Sequence, residues 1–456
     1  MTYNYRYLAR IIIEATTPIV IKSGEKNILT DAVVLRDVNG LPYVPGTSIA
    51  GVVRHAWIDA GRDYKVLFGY QEKKEGEGSK IIFSEGRILN SQGIVIDGLH
   101  DKMSDSLLKE YKQLPVRQHV RITEKGVAKD AGKYDEEIVY KGTRFCFEME
   151  MIGQKGDGEK FDELLDILQN QTFRLGSGTR SGFGEIKVVQ YQKRSLCLLK
   201  QLDCYLSKSS NLEDNKVWYD EVAPIEGKIK KNEDWTKYEL ELKPEDFFLF
   251  GSGFGDEEAD MTPVKEKVVT GWEDGHAKLE EGYYLCPATS IKGAIAHRVV
   301  FHYNRKKGRF ADDEKMTAED CKKCLVENNE AVKSLFGSEG DERGNGKLRG
   351  NVIISDLYMD KVTEKILNHV AIDRFTGGAI DGALFSEKVV YGSKKDLKID
   401  IWANMENMDI DVVQAFELTL DDIRKGMLPL GGGVNRGHGI FTGTIKKNGS
   451  ELCVER

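Results

Sequence analysis

Proline is scarce in this sequence, and long apolar runs are missing from it. There are 9 prolines among 456 residues, against 47 glycines. This balance indicates tight turns and close backbone approaches, and not a flexible low-complexity chain. No apolar run approaches the roughly 18 residues of a membrane-spanning helix, and the amino-terminal residues lack the plan of a secretory signal peptide. We therefore expect a globular cytoplasmic protein with no membrane contact.

The sequence also lacks a basic excess and a cysteine framework. Its net charge is −8, which counts against a simple nucleic-acid-binding protein, although a local positive groove is enough for binding. The 7 cysteines are odd in number and scattered, so no disulfide framework is evident. No Gly-Lys-Ser or Gly-Lys-Thr closes a glycine-rich run, and this absence excludes a nucleotide-dependent enzyme of the P-loop class.

One structural unit is repeated along the chain. In each half an apolar, strand-like run leads to Ser-Gly, and an aspartate follows seven positions after that glycine. A Pro-x-Thr-Ser block that can cap a helix, a Leu-Phe-Gly turn, a His-Val pair and a glycine-rich loop then recur in the same order. The matched segments are Ser23–Gly24 with Ser252–Gly253, Asp31 with Asp260, Tyr43–Gly51 with Tyr284–Gly293, Leu67–Gly69 with Leu335–Gly337, His119–Ile122 with His369–Ile372, and Gly176–Gly184 with Gly431–Gly439. Chance seldom produces so many matches in one order, so the sequence predicts a tandem duplication.

The repeat divides the chain into two domains. We predict a first domain over residues 1–205, a polar linker over 206–236 and a second domain over 237–456. Within each domain the order is strand, helix, two strands, helix, strand, with the second helix at Phe161–Gln169 in the first copy and at Ile410–Arg424 in the second. This order is typical of an α+β ferredoxin-like fold, whose antiparallel sheet is a common platform for RNA.

The two glycine-rich loops follow a helix and precede a strand, which is the wrong context for a dinucleotide-binding fingerprint. Glycine lets the main chain approach a ligand backbone, and its N–H group can hold a phosphate oxygen. We therefore predict that the loops contact RNA through Gly178, Arg180, Gly182, Gly432, Gly433 and Arg436. The alternative is a structural turn that contacts no ligand.

Together these residues resemble the RAMP superfamily of CRISPR-associated proteins, and each half is similar to the backbone subunit of a type III CRISPR effector complex. The resemblance is carried by Leu29–Arg36, Leu41–Arg54, Val120–Tyr134, Ile372–Phe385 and the two glycine-rich loops. It covers nearly the whole chain apart from the linker and the insertions. It implies two tandem ferredoxin-like RAMP domains with inserted thumb hairpins, at Val120–Tyr134 and at Ile372–Phe385.

The resemblance also implies a function. Such subunits stack along a guide CRISPR RNA beside other RAMP-family effector subunits, and their thumbs kink the duplex between the guide and the complementary target RNA. An aspartate in the loop after the first strand is needed for cutting the target with Mg²⁺ or Mn²⁺, and Asp31 and Asp260 fall at that position. A carboxylate there can hold a divalent cation or orient the 2′-OH of a kinked RNA. The expected activity is that of an endoribonuclease acting within an antiviral complex.

Further candidates for RNA contact lie in or beside the repeated blocks. They are Ser23, Gly24, Arg36, Arg54, Arg121, Ser252, Gly253, Lys292, Arg298 and Arg374. The basic side chains among them suit phosphate contacts, and the alternative for each is a solvated surface charge.

A zinc site is a separate hypothesis. Cys321 and Cys324 have the two-residue spacing of half a zinc site, and His297 and His302 precede the same insertion. These four residues predict a structural Zn²⁺ site. The alternative is two cysteines on one helical turn.

Two other functions stay open. The first is a scaffold subunit that binds guide RNA and cuts nothing. The second is a guide-processing, metal-independent ribonuclease that uses a histidine such as His55 or His119 for acid–base catalysis. The paired aspartates at equal spacing count against this second function.

Overall fold

The computed structural model describes residues 3–28, 30–72, 75–100, 104–218, 224–310, 316–338, 340, 346–360, 362–391 and 396–454. Leu29 and residues 219–223 of the predicted linker lie outside the described residues. Within the described ranges, no helix is long and apolar enough to cross a bilayer.

The first half of the chain alternates strands and helices in the predicted order. Its strands are β1 (Tyr5–Ala15), β2 (Tyr70–Glu72), β3 (Glu75–Glu77), β4 (Ile81–Phe83), β5 (Arg87–Ile88), β6 (Val116–Ile122), β7 (Ala128–Glu137), β8 (Arg144–Gly153), β9 (Ile186–Cys197) and β10 (Ile225–Glu226). Its helices are α1 (Gly46–Asp59), α2 (Lys65–Phe68), α3 (Ser106–Glu110), α4 (Gly158–Leu168) and α5 (Leu198–Leu206).

The second half repeats this order with insertions. Its strands are β11 (Thr236–Pro244), β12 (Lys265–Thr270), β13 (Lys278–Cys286), β14 (Gly337–Ser338), β15 (Leu348–Arg349), β16 (Val352–Ile354), β17 (Leu357–Met359), β18 (Thr363–Ile372), β19 (Ala379–Tyr391), β20 (Leu397–Ala403), β21 (Phe441–Lys447) and β22 (Ser450–Glu451). Its helices are α6 (Ala288–Lys306), α7 (Ala318–Lys323), α8 (Glu330–Phe336) and α9 (Ile410–Arg424). Helix α9 matches the predicted range, whereas α4 begins three residues and ends one residue before its prediction.

The two main sheets have the same topology. The first has the order β10-β9-β1-β8-β4, the second has the order β16-β20-β11-β21-β22, and the pairings along both are antiparallel. When the core strands are numbered within each half, β9-β1-β8-β4 and β21-β11-β20-β16 both become 4-1-3-2, which is the ferredoxin-like order that follows from a β-α-β-β-α-β chain. The predicted α+β fold is confirmed in both halves.

Helices α1 and α4 cover one face of the first sheet. Val53 and Trp57 of α1 and Leu164 of α4 lie in the same buried core as Ile11 and Phe147 of the sheet. Val53 and Trp57 are four residues apart, so one helical face carries both into the core. Burying each large apolar side chain stabilises the fold by about 1.5–3 kcal/mol.

Two hairpins stand apart from the main sheets. Strand β6 pairs only with β7, and β18 pairs only with β19, within the described strands. The hairpins share one register, because His119 faces Tyr134 in the first as His369 faces Phe385 in the second. Each register also shifts at the same place, after Val120 and after Val370. The predicted thumb segments are the outer parts of these hairpins.

The predicted linker is partly packed against the first half. Leu212, Val217 and Trp218 belong to it, and Val217 and Trp218 lie in a buried cluster with Leu8 and Leu196 of the first sheet. Strand β10 also extends that sheet through β9. The segment is polar on average, but a few of its apolar residues pack on the sheet face opposite α1 and α4.

The halves share part of one core. Strands β12 and β13, which belong to the insertion between Asp260 and Thr289, form a small sheet with β17. Val269 and Ala277 from this insertion are buried in the core of the first half. Trp272 Nε1 also donates to the carbonyl oxygen of Gly142 at 2.8 Å. The insertion thus fixes the second half onto the first.

Candidate nucleic-acid interface

Each predicted catalytic aspartate is bonded to the base of the hairpin in its own half. The backbone N–H of Asp31 donates to Asp135 Oδ1 at 2.8 Å, and the backbone N–H of Asp135 donates to Asp31 Oδ2 at 3.2 Å. In the second half the N–H of Asp260 donates to Ser386 Oγ at 3.1 Å, and the N–H of Ser386 donates to Asp260 Oδ2 at 2.7 Å. Asp31 and Asp260 are both exposed. The loop after the first strand therefore presents its aspartate to solvent at a fixed point beside each hairpin.

The two aspartate sites differ in one group. Asp31 lies beside a second carboxylate, that of Asp135, whereas Asp260 lies beside the hydroxyl of Ser386, which also donates to Asp260 Oδ2 at 2.9 Å. The backbone N–H and then the hydroxyl of Ser386 lower the pKa of Asp260. Asp260 is therefore held as a carboxylate.

The oxygen atoms beside Asp31 and Asp260 suit a divalent cation. Carboxylate oxygens are the ligands that Mg²⁺ and Mn²⁺ prefer, and Mg²⁺ commonly takes one or two of them together with phosphate oxygens and water. The first site offers two carboxylates and the second offers one carboxylate and a hydroxyl. Among the described residues no group of three or more His, Cys, Asp or Glu side chains forms a metal cage. The donors fit a cation whose remaining ligands come from RNA and water.

A buried glutamate lies next to each aspartate partner. Glu136 forms an ion pair with Lys22, whose Nζ is 2.9 Å away, and its Oε1 lies 3.2 Å from His119 Nε2. Burial raises the pKa of Glu136, but the neighbouring His119 and Lys22 outweigh burial and leave that pKa lowered. Glu136 thus ties the hairpin to Lys22, in the segment between β1 and Asp31.

The second half enlarges this arrangement. Glu387 is fully buried and receives His369 Nε2 at 2.7 Å, His438 Nε2 at 2.9 Å and Arg436 Nη2 at 2.6 Å. Burial raises its pKa, yet the bonds from His438, Arg436 and His369 hold the pKa of Glu387 below its usual value. One carboxylate therefore joins the second hairpin to the second glycine-rich loop. Arg436, predicted to contact RNA, serves this internal contact.

Glu136, Glu387 and the residues beside them were not predicted from the sequence. Tyr134, Asp135 and Glu136 match Phe385, Ser386 and Glu387 when the hairpin registers are superposed. The signal was present in the repeat, but it is weak because two of the three pairs differ in residue type. His119 belongs to this buried cluster and stacks on the ring of Tyr134, with the two ring centroids 4.7 Å apart. Its role is therefore structural. His55 is exposed on α1.

The glycines of the two loops are required by the loops' own packing. Gly176 and Gly431 have φ angles of +94° and +95°, and a Cβ atom on them would lie 2.5 and 2.6 Å from the carbonyl oxygens of Val20 and Leu249. Side chains would similarly strike Phe183 at Gly178 and His438 at Gly433, with contacts of 2.6 and 2.5 Å. The N–H of Gly432 is used internally, since it donates to Leu249 O at 2.6 Å.

Gly182 lies between the two halves. It is buried, and a Cβ atom there would lie 2.5 Å from Asp356 Oδ1 and 2.7 Å from the Cβ of Ala288. The first glycine-rich loop therefore packs against the first turn of α6. The structure gives Gly182 a packing role and leaves Gly178 on the exposed part of the loop.

Basic side chains gather where this loop meets α6. Arg180 Nε donates to Gly350 O at 2.8 Å. Burial and then the nearby guanidinium of Arg349 lower the pKa of Arg180, and burial and then Arg180 lower the pKa of Lys292. These cations repel one another, with partial relief from Asp59, which lies 3.2 Å from Arg349. We refer to Arg180, Lys292 and Arg349 as the basic cleft.

Two predicted Ser-Gly pairs lie at the turns that lead to the aspartates. Gly24 and Gly253 are exposed, have φ angles of +84° and +85°, and have open space around the position of a Cβ atom. Ser23 Oγ accepts the N–H of Glu25 at 3.1 Å, and Ser252 Oγ lies 3.0 Å from Thr262 Oγ1. Both pairs shape the aspartate loops.

The other predicted contacts lie away from these loops. Arg36 donates to Tyr111 O at 2.7 Å, Arg298 Nε donates to Asp422 Oδ2 at 2.7 Å, and Arg54 stacks on Tyr64 at 4.2 Å. These three arginines are used within the fold, so the structure does not bring them to the aspartate sites. Arg121 lies on the first hairpin and pairs with Glu327, and Arg374 is exposed at the tip of the second hairpin.

The four residues predicted to bind zinc do not converge. Within the described residues no metal-binding group of three or more such side chains is present. His302 is buried and its Nε2 lies 2.7 Å from Asp422 Oδ2, because α6 packs against α9. Cys321 is exposed, and Cys324 ends the short helix α7. The two cysteines therefore match the helical-turn alternative.

Comparison with known proteins gives the family. The model of the RAMP superfamily matches residues 12–187 and 248–442. No curated protein matches the chain. The two matched regions fall in the two ferredoxin-like halves, and together they cover most of the sequence. The chain therefore belongs to the RAMP superfamily, and it is a CRISPR-associated RNA-binding subunit built from two tandem RAMP domains.

Proposed function

We propose that this protein is a backbone subunit of a type III CRISPR effector complex, which holds a guide RNA and cuts complementary target RNA through Asp31 and Asp260. One observation carries the proposal. In both halves an exposed aspartate is bonded to the base of a projecting hairpin by the same reciprocal backbone contacts. A hairpin that opens a duplex would leave the unstacked nucleotide beside that carboxylate.

The basic cleft is proposed to hold guide phosphates. Arg180, Lys292 and Arg349 approach one another from the first glycine-rich loop, from α6 and from β15. Because partly buried cations of like sign repel, an RNA phosphate entering the cleft would relieve this repulsion and release counterions. The net charge of −8 is no obstacle, since a local field steers the RNA.

Two of the acids near Asp260 share one lysine. Asp256 and Glu258 lie 2.6 and 2.8 Å from Lys388 Nζ. The lysine bonds to Asp256 lower the pKa of that carboxyl to about 2, so the pair stays charged on both sides. Ser386 donates two hydrogen bonds to Oδ2 of Asp260, and Oδ1 is the oxygen proposed to act on RNA.

The chemistry proposed for this chain is mainly positioning. Asp31 and Asp260 would orient the 2′-OH of the unstacked nucleotide in line with the adjacent phosphorus, and Asp135 and Ser386 would fix those carboxylates. A divalent cation, when bound, supplies charge stabilisation at the phosphate. The hairpins would hold the kinked strand in place during attack.

A non-cleaving second half is the alternative that a specific observation favours. Ser386 replaces the carboxylate of Asp135, so the second site has fewer charged oxygens for a cation. Under this alternative the second half grips RNA and only the first half cuts.

The test uses the complex assembled with guide RNA and neighbouring RAMP subunits, supplied with labelled complementary RNA and Mg²⁺. Asp31→Ala and Asp260→Ala are each expected to remove one distinct cut and to leave target binding intact. Glu25→Ala and Glu257→Ala, which change exposed acids in the same loops, serve as matched controls and should leave both cuts.

Three results decide between the functions. If Asp31→Ala removes a cut and Asp260→Ala removes none, the result supports the alternative in which the second half binds RNA without cutting it. Cutting that ignores both aspartates shows that their assignment is wrong. A wild-type protein that retains no guide contradicts the backbone function itself.

A further inference from the structure

In the first half, the sheet face opposite α1 and α4 is only partly covered. Alternate side chains of β1, from Leu8 to Glu14, point to this face. The segment after α5 covers one end, where Trp218 is buried with Leu8 and its ring centroid lies 5.3 Å from Cζ of Arg10. Ile12, nearer the other end, lines a cavity of about 210 Å³. We refer to it as the sheet-face cavity.

Both halves of the chain form the sheet-face cavity. Its floor consists of Ile12 of β1 with Val189 and Gln190 of β9. One wall is the loop after β5, which carries Gln92, and the other is the turn between β12 and β13, which carries Trp272. Because the second wall belongs to the insertion of the second half, the cavity requires both domains. Binding sites for small ligands commonly lie at such interfaces.

The walls and the floor are held in place by backbone contacts. The N–H of Ala277, beyond the turn, donates to the carbonyl oxygen of Ser91 in the opposite wall at 2.7 Å. Strand β9 bulges in the floor, since its register against β1 shifts there and passes over Val189. Bulges are frequent beside binding sites, where they redirect side chains. The cavity therefore keeps its shape without a ligand.

A flat cationic surface lines one side of the cavity. The guanidinium of Arg144 lies over the ring of Trp272, with Cζ 4.5 Å from the ring centroid. Arg144 Nε donates to Glu14 Oε2 at 2.8 Å, and this bond fixes the plane of the guanidinium. Unstacked nucleobases in protein–RNA complexes stack on aromatic rings and on arginine planes. Both kinds of surface are present here.

Two carboxamides lie in the same cavity. Gln190 is half-buried in the floor and Gln92 is exposed in the wall. Within the described part of the chain, neither side chain has a hydrogen-bond partner. A carboxamide offers an acceptor and a donor side by side, which matches the N6 donor and N7 acceptor of adenine, whereas guanine offers two acceptors at that edge. The free amides therefore favour adenine.

The size and charge of the cavity agree with one base. Its volume of about 210 Å³ is below the roughly 300–1,000 Å³ of pockets for larger ligands, so it has room for a single ring system. Lys187 Nζ lies 2.8 Å from Glu14 Oε1, so two cations, Lys187 and Arg144, share this one carboxylate. The excess positive charge suits the phosphate that a base carries on its sugar.

We propose that the sheet-face cavity binds an unstacked adenine, which stacks on the paired planes of Arg144 and Trp272 and is read by the amides of Gln92 and Gln190. The base belongs either to a free nucleotide or to a single strand of RNA. This site is separate from the aspartates and from the basic cleft, and it does not depend on cutting of a target.

The test is equilibrium dialysis of the purified chain, freed of nucleic acid, against adenosine 5′-monophosphate and cytidine 5′-monophosphate. Oligoadenylate and oligocytidylate RNA of equal length serve as the strand probes. We expect saturable binding of adenine at least tenfold tighter than that of cytosine. Gln92→Ala and Gln190→Leu should each weaken adenine binding about tenfold. The control is Gln71→Ala, which removes an exposed glutamine of β2 outside the cavity and should bind as wild type.

Each outcome decides the proposal. Loss of binding in both cavity variants supports it, with the monophosphate if the ligand is a free nucleotide and with oligoadenylate alone if the base must belong to RNA. Equal binding of adenine and cytosine, no binding of either adenine probe, or cavity variants that bind as wild type would overturn it. If Gln190→Leu does not fold, Gln92→Ala in the exposed loop decides. Dialysis uses neither guide nor target, so its failure leaves the proposed function intact, and failed cutting leaves the cavity intact.

Discussion

Glu387 shows how much depends on one buried side chain. It receives hydrogen bonds from the hairpin through His369 and from the glycine-rich loop through His438 and Arg436. Its neighbour Ser386 holds Asp260. A single carboxylate therefore sets the relative position of the hairpin, the loop and the aspartate of the second half, whereas the first half relies on Glu136, Lys22 and His119.

This cluster predicts an acid-dependent stability. Because the pKa of Glu387 is lower in the folded protein than in the unfolded chain, its contribution is present at neutral pH and is lost as pH falls through the folded pKa. Glu387→Gln should therefore flatten the decline of the melting temperature with pH below about 4.3, the ordinary pKa of a glutamate. Melting curves of both proteins between neutral and acidic pH check this, with exposed Glu257→Gln as the control. Parallel curves for wild type and Glu387→Gln would contradict it.

At the level of elements, prediction succeeded where both copies carry the same residues. The Pro-x-Thr-Ser blocks begin α1 and α6, and α9 was located residue for residue. The expected capping by Thr or Ser was wrong, because the N-cap residues are Pro45 and Pro287 and no side chain caps either helix. The contacts at the hairpin bases were not predicted, because the two copies carry different residues there. Arg117 in the first copy is matched by Leu367 in the second. Arg117 finds its partner Asp356 at a sequence separation of 239 residues, and neither spacing nor composition predicts such a contact.

The candidate site was only partly predictable for the same reason. Asp31 and Asp260 were found from equal spacing after a Ser-Gly pair, and both lie at a hairpin base. Gly182 was expected to face RNA, but it packs against Asp356 and Ala288 of the second half, which lie far from it in the sequence. Arginines such as Arg36 and Arg298 were expected on the surface, yet each has an internal acceptor that only the folded chain brings near.

The joint at the first hairpin base should dominate the stability of the contact between halves. Arg117 is buried between Glu266 and Asp356, so Arg117→Ala leaves buried carboxylates without a cation. Breaking a buried pair in this way typically costs about 3–5 kcal/mol. The exposed pair of Arg121 with Glu327 is worth only about 0–1 kcal/mol. Denaturant unfolding of Arg117→Ala and Arg121→Ala should show this contrast, and equal losses would show that Arg117 does not form the joint.

The whole molecule is acidic yet proposed to hold RNA, so its binding must depend on a small number of cations. The net charge is −8, and the basic cleft concentrates Arg180 and Lys292 between the two domains. Each phosphate contact to single-stranded RNA contributes about 0.7 to the slope of log affinity against log salt concentration. Arg180→Ala and Lys292→Ala should therefore each lower guide affinity and reduce that slope by about 0.7.

Salt titration of guide binding measures both effects on the same samples. Lys398→Ala, which removes an exposed cation from the surface of β20, is the matched control, because it changes net charge equally without touching the cleft. If Lys398→Ala shifts the slope as much as Lys292→Ala, guide RNA responds to overall charge, and the cleft has no special role. If only the cleft variants shift it, the phosphates lie between the glycine-rich loop of one domain and the first turn of α6 in the other. The duplication would then create, at the contact between its copies, an RNA site that neither copy contains alone.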